Sequence, residues 1–136
     1  MNENVTVFLE KAFECLADAE ALIEKNRYTA AVSRSYYAMF HAAQAALLSE
    51  EIESYTHMGV NVQFQKTFIK TGKFPVLSGK SFSKILEQRL KSDYEIGFKA
   101  SAVDAKQTFQ EATDFVSTIR RYIITDLNGA QRIENR

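Results

Sequence analysis

From Tyr28 to Ser49 the chain holds neither glycine nor proline. Apolar side chains fall on nearly every side of the helix such a stretch predicts: Ala30, Ala31, Val32, Tyr36, Tyr37, Met39, Phe40, Ala42, Ala43, Ala45, Ala46, Leu47 and Leu48. A helix that is apolar all round is stable only when neighbours cover several of its faces. The stretch therefore predicts a central helix with others packed about it.

The neighbours are readable on either side. One proline and five glycines are the chain's few breakers, and they punctuate segments of helical periodicity. A first segment, from about Val5 to Lys25, sets Leu9, Ala12, Leu16, Ala19 and Ile23 at steps of three and four, with Asn26 as its stop. After a polar stretch from Glu50 to Tyr55, Thr56 is placed to cap a third helix through Val60, Phe64, Phe68 and Ile69, ended by Gly72. A loop with Gly72, Phe74, Pro75 and Gly79 is expected next. Ser81 then opens a fourth helix carrying Phe82, Ile85, Leu86 and Leu90 that stops near Gly97. Ser101 with Asp104 three residues on has the form of a capping box before a fifth stripe of Ala105, Phe109, Ala112, Val116, Ile119 and Ile123. Asn128-Gly129 is expected to end that helix and leave residues 130–136 as a flexible tail. The fold class expected is all-α, an antiparallel up-and-down bundle of about five helices, in one domain spanning 1–136.

Composition narrows the function classes. Seventeen basic side chains balance 17 acidic ones, which argues against nucleic-acid binding by bulk charge but leaves room for a local basic patch. The single cysteine, Cys15, cannot form an internal disulfide, and no paired-Cys metal site exists. No stretch approaches the roughly 18 uninterrupted apolar residues of a membrane span, and the start lacks a basic-then-apolar leader, so a cytoplasmic location with no membrane partner is expected. There is no Glu-x-x-His pair, no glycine-rich phosphate loop and no Gly-x-Ser-x-Gly turn. No metal and no cofactor are expected.

The chemistry-bearing residues gather on one edge of the central helix. Arg34 and His41 are seven apart, nearly two turns, with Tyr37 between them at i+3 and Gln44 one turn further. Seven residues rise about 10 Å, so both side chains reach a ligand lying between them if it is elongated or anionic. Arginine offers a permanent charged fork for phosphate, and histidine titrates near neutrality, a combination suited to phosphodiester cleavage without a metal. Alternatively Arg34 forms a buried ion pair, with Asp93 for example, and His41 hydrogen-bonds a tyrosine as core structure. Arg89 and Tyr94 flank Lys91 and Asp93 on the fourth helix; they either meet this edge, or Arg89 and Asp93 simply pair at i and i+4 on a solvated face. His57 stands at the start of the third helix, where free amides favour anions, or it serves as a surface or capping residue.

The string Ala31-Val32-Ser33-Arg34-Ser35-Tyr36-Tyr37-Ala38-Met39-Phe40-His41-Ala42-Ala43, with His57-Met58-Gly59-Val60 and Arg89-Leu90-Lys91-Ser92-Asp93-Tyr94, resembles the HEPN domain family in its small prokaryotic stand-alone branch. The resemblance covers almost the whole chain. It implies a helical bundle that dimerises with a second copy, and a metal-independent endoribonuclease motif of Arg, four to six residues, then His. Arg34 and His41, six residues apart, fit its long end. Under the resemblance Arg34 and His41 are the catalytic pair, while Tyr37, His57, Arg89 and Tyr94 bind the ligand, a single-stranded RNA or a nucleotide. The protein is then expected to be the ribonuclease, toxin-like part of a toxin–antitoxin or nucleotidyltransferase-linked system. The alternative is a non-catalytic nucleotide-binding or adaptor subunit that partners a minimal nucleotidyltransferase.

Overall fold

The computed structural model describes residues 2–134 and, within that span, every side chain except those of Asp93 and residues 127–134. Five α-helices account for most of it: α1 (Glu3–Glu24), α2 (Tyr28–Ser49), α3 (His57–Phe64), α4 (Val76–Tyr94) and α5 (Ala102–Glu134). A π-helical turn, Gln65–Ile69, continues α3 and closes on the Lys70 amide, which donates to the Gln65 carbonyl at 2.9 Å.

The helix ends follow from local chemistry. Asn26, at a φ of 61°, turns the chain between α1 and α2, a left-handed conformation that asparagine tolerates better than most residues. Thr56 caps α3 by accepting from the Gly59 amide at 3.0 Å, and Ser101 caps α5 by accepting from the Asp104 amide at the same distance. Two expected boundaries move. α4 opens at Val76 directly after Pro75 rather than at Ser81, because proline's fixed φ suits the entry to a helix. Gly79, expected in the loop, lies inside α4. α5 runs through Asn128-Gly129 to Glu134 instead of stopping there; glycine costs only about 1 kcal/mol in a helix interior and does not by itself end one.

Consecutive long helices alternate in direction, as expected of an up-and-down bundle. α1 runs against α2, with Phe8 beside His41 at one end and Leu22 and Ile23 beside Ala31 and Val32 at the other. α4 returns the chain, so α5 runs in the direction of α2: Ala105 packs with Ala31 and Val32, and Tyr122 reaches Glu50. α2 is in contact with every other helix, as its all-round apolar surface requires.

The main core lies where α1, α3, the π turn, α4 and α5 meet α2. Phe64 has the rings of Phe68, Phe74, Phe82 and Phe115 at 5.2–5.7 Å, and each such buried phenylalanine contributes about 1.5–3 kcal/mol. Cys15 is buried in the same cluster, where desolvation raises its thiol pKa. Among the described residues no helix is long and apolar enough to cross a membrane.

Candidate functional site

The edge of α2 is a continuous line of contacts. The Arg34 guanidinium carbon lies 4.9 Å from the Tyr37 ring centroid, the Tyr37 and His41 rings are 6.2 Å apart, and His41 Nδ1 meets Gln44 Oε1 at 3.1 Å. Spacing of three and four residues produces this line directly. Its far end is tied to the loop before α3, since Gln44 Nε2 donates to the Ser54 carbonyl at 3.2 Å.

Two further elements bring residues to the line. From α4, Arg89 places its guanidinium carbon 4.7 Å from the Tyr37 centroid and 5.7 Å from that of Tyr36. Two cations from different helices therefore share the Tyr37 ring, each in the range of a cation–π contact. From α3, His57 Nδ1 is 2.5 Å from the Tyr36 hydroxyl, and its ring packs 4.9 Å from Phe40 and 6.1 Å from Tyr37. The cap of α3 is Thr56, so His57 is left to this contact. Arg34, Tyr37, His41, His57 and Arg89 are thus neighbours, whereas Tyr94 is 82% exposed at the end of α4 and enters none of the ring or hydrogen-bond contacts of the group among the described residues.

His41 is half-buried, and its pKa is lowered first by desolvation. The nearby charges of Lys11 and Arg34 lower it further, against a raising effect from the Gln44 hydrogen bond. Its ring lies nearly parallel to that of Phe8, at 6.3 Å with 18° between planes. Such a histidine is biased to the neutral form near pH 7, which is the form that accepts a proton. Two permanent cations beside it suit an anion, and the partly accessible Tyr37 ring with the exposed His57 suits a planar base.

The structural alternatives read from sequence resolve in part. His41 bonds Gln44 rather than a tyrosine; the histidine that meets a tyrosine is His57. A pairing of Arg34 or Arg89 with Asp93 lies outside the described residues, because the Asp93 side chain is not among them. Three residues outside the expected site also join the group: Tyr36, which its pattern places in the core alone, and Phe8 and Lys11, which α1 carries to His41. The doublet Tyr36-Tyr37 was the available signal for the first: neighbours in a helix point about 100° apart, so one can face the core while the other faces the edge. Nothing in α1 marked Phe8 or Lys11.

A family model described as the HEPN domain matches residues 5–123. A UPF0332 protein of Thermotoga maritima is 33% identical over 133 residues, covering 96% of this chain and all of the relative. Two proteins of Methanocaldococcus jannaschii, both named as candidate toxins, are 33% and 32% identical. The alignments cover 89% and 86% of this chain and 90% and 80% of those relatives.

Proposed function

This chain belongs to the HEPN domain family, and from that premise we propose that it is a metal-independent, RNA-cleaving, toxin-like protein in which Arg34 holds the scissile phosphate and His41 moves a proton. The observation that carries the reading is the convergence of Arg34 and Arg89 on the Tyr37 ring beside a half-buried histidine biased to its neutral form. The names of the two Methanocaldococcus relatives support the toxin-like part.

The chemistry needs few groups. In single-stranded RNA the nucleophile is the substrate's own 2′-hydroxyl. Neutral His41 takes its proton, the oxygen attacks the adjacent phosphorus, and the P–O5′ bond breaks, leaving a 2′,3′-cyclic phosphate and a 5′-hydroxyl that acquires a proton. The two guanidiniums offset the charge that builds on the phosphoryl oxygens. Tyr37 offers a stacking face, and the exposed His57 ring stands beside it. A second copy of the chain and a minimal nucleotidyltransferase are the partners this reading carries.

The test is cleavage of a single-stranded RNA in EDTA by wild type, His41→Ala and Arg34→Ala. Wild-type cleavage with a loss of about a hundredfold or more in His41→Ala is expected, the usual size of a general-base effect. Equal activity, or none in any of the three, sinks the catalytic reading. RNA or nucleotide binding without turnover would assign the protein the accessory role instead.

A further inference from the structure

Gln44 is the one member of the α2 line to which the proposed reaction gives no task. It is only 6% exposed, and each end of its amide has a defined partner. The Ser54 carbonyl can only accept, so the amide group 3.2 Å from it is the NH2. Oε1 then necessarily faces His41 Nδ1, at 3.1 Å, and an amide oxygen can only accept. Nδ1 must therefore carry the hydrogen. Reversing the amide would set carbonyl against carbonyl at one end and leave a buried group unsatisfied, a costly arrangement.

We infer that Gln44 is a positioning residue: oriented by the Ser54 carbonyl, it holds neutral His41 as the Nδ1–H tautomer and leaves Nε2 as the lone pair that accepts a proton. The role of the second nitrogen's bond in setting a histidine's tautomer is general. Here the bond partner is itself set by a backbone carbonyl, which cannot change its sense. The near-parallel Phe8 ring and the Tyr37 ring restrain the imidazole plane, so the lone pair keeps one direction as well as one atom. When Nε2 takes a proton, Nδ1–H remains bonded to Gln44, and the same acceptor then stabilises the cation. The inference deepens the reading of His41 as proton acceptor and rests on it.

The experiment is a long-range 1H–15N correlation on 15N-labelled full-length wild type, Gln44→Leu and Gln44→Glu at a pH where His41 is neutral, together with RNA cleavage by each. Wild type is expected to show a pyrrole-type Nδ1 and a pyridine-type Nε2 at His41; the opposite pattern overturns the inference whether or not RNA is cut. Gln44→Leu is expected to lose the single tautomer and to lower kcat by about 10–100-fold with KM within about twofold, the range typical of removing the partner that orients a metal-bound histidine. Gln44→Glu keeps an acceptor toward Nδ1. It loses the bond to the Ser54 carbonyl but still accepts from Nδ1–H, so it should keep the Nδ1–H tautomer while stabilising the imidazolium, with the acidic limb of the pH profile moved to higher pH. A Gln44→Leu protein with the wild-type tautomer and rate overturns the inference. If that variant fails to fold, the wild-type spectrum and Gln44→Glu decide. The expected wild-type tautomer without any cleavage supports the hold on His41 and defeats the ribonuclease reading alone.

Discussion

The guanidinium carbon of Arg89, on α4, lies 4.7 Å from the ring centroid of Tyr37, on α2, and so brings a second cation to a ring that Arg34 already approaches at 4.9 Å. Neither helix carries this site alone: α2 supplies the aromatic surface and one charge, and α4 supplies the other. The consequence is a patch of two guanidiniums about one aromatic ring on a chain whose total charge is zero.

Removing one part of that patch should separate its charge from its surface. Tyr37→Leu is expected to weaken binding of a labelled single-stranded oligonucleotide by about tenfold, since a stacked base is worth about 1–3 kcal/mol, while leaving the salt dependence unchanged. Arg89→Gln should instead lower the slope of log affinity against log salt by about 1. Fluorescence anisotropy over a series of salt concentrations reads both. A Tyr37→Leu variant that binds as wild type would show that the ring is packing only.

If His41 is the proton acceptor of the proposed cleavage, its lowered pKa sets the acid limb of the rate. Desolvation, with Lys11 and Arg34 nearby, disfavours the imidazolium, so a rate that needs neutral His41 should rise with pH along a limb centred below the ordinary histidine value of 6.5. Lys11→Glu replaces a repelling charge with an attracting one, stabilises the imidazolium and should move that limb to higher pH. The pH profile of kcat/KM for both proteins is the measurement, and an unmoved limb would detach the rate from His41.

At the end of α2, Glu50 accepts from the Tyr122 hydroxyl at 2.5 Å and pairs with Lys73 at 3.3 Å. The Tyr122 bond first, and Lys73 after it, hold the Glu50 carboxyl below its ordinary value against partial desolvation. Tyr122 is pushed well above the usual tyrosine range by its own burial and then by Glu50. A depressed carboxyl stabilises the fold above its unfolded-state pKa, and that contribution is lost as pH falls through the folded value. Tyr122→Phe should therefore lower Tm by a few degrees at neutral pH, a hydrogen bond to a charged group being worth about 1–2 kcal/mol at a partly exposed site. The difference from wild type should shrink once Glu50 is protonated. Thermal melts from neutral to acid pH test the sign.

Gly79 lies inside α4 against the π turn, where an added Cβ would come to 2.5 Å from Gln65 Oε1 and 2.8 Å from Ile69 Cγ1. Gln65 Nε2 also donates to the Gly79 carbonyl, at 2.9 Å. Gly79→Ala gains helix propensity of about 1 kcal/mol but must displace both neighbours, and overpacking of this kind costs about 1–3 kcal/mol. A net loss of stability is expected in denaturant melts, opposite in sign to the usual effect of replacing a helical glycine by alanine.

The all-α class and the central place of α2 were legible in the residues, because an uninterrupted stretch apolar on every side has no stable solution except encirclement. The caps at Thr56 and Ser101 and the turn at Asn26 were legible for a similar reason, since each is decided by bonds within four residues of itself. Gly79 was misread because its reason lies across the bundle: glycine there admits Gln65 and Ile69, and only the packing of α3 and the π turn on α4 shows it. The extension of α5 past Asn128-Gly129 was not legible either, as a glycine is compatible with both a stop and a continuation.

For the candidate site the division is the same. Helical periodicity alone put Arg34, Tyr37, His41 and Gln44 on one edge, with contacts at each step of three or four residues. The approach of Arg89, the meeting of Tyr36 with His57, the arrival of Phe8 and Lys11, and the separation of Tyr94 all depend on how far each helix is rotated and shifted against α2. Those quantities are set by the summed packing of whole faces and leave no periodic mark on the chain, so the sequence determined the line along α2 and the tertiary structure decided which other groups stand around it.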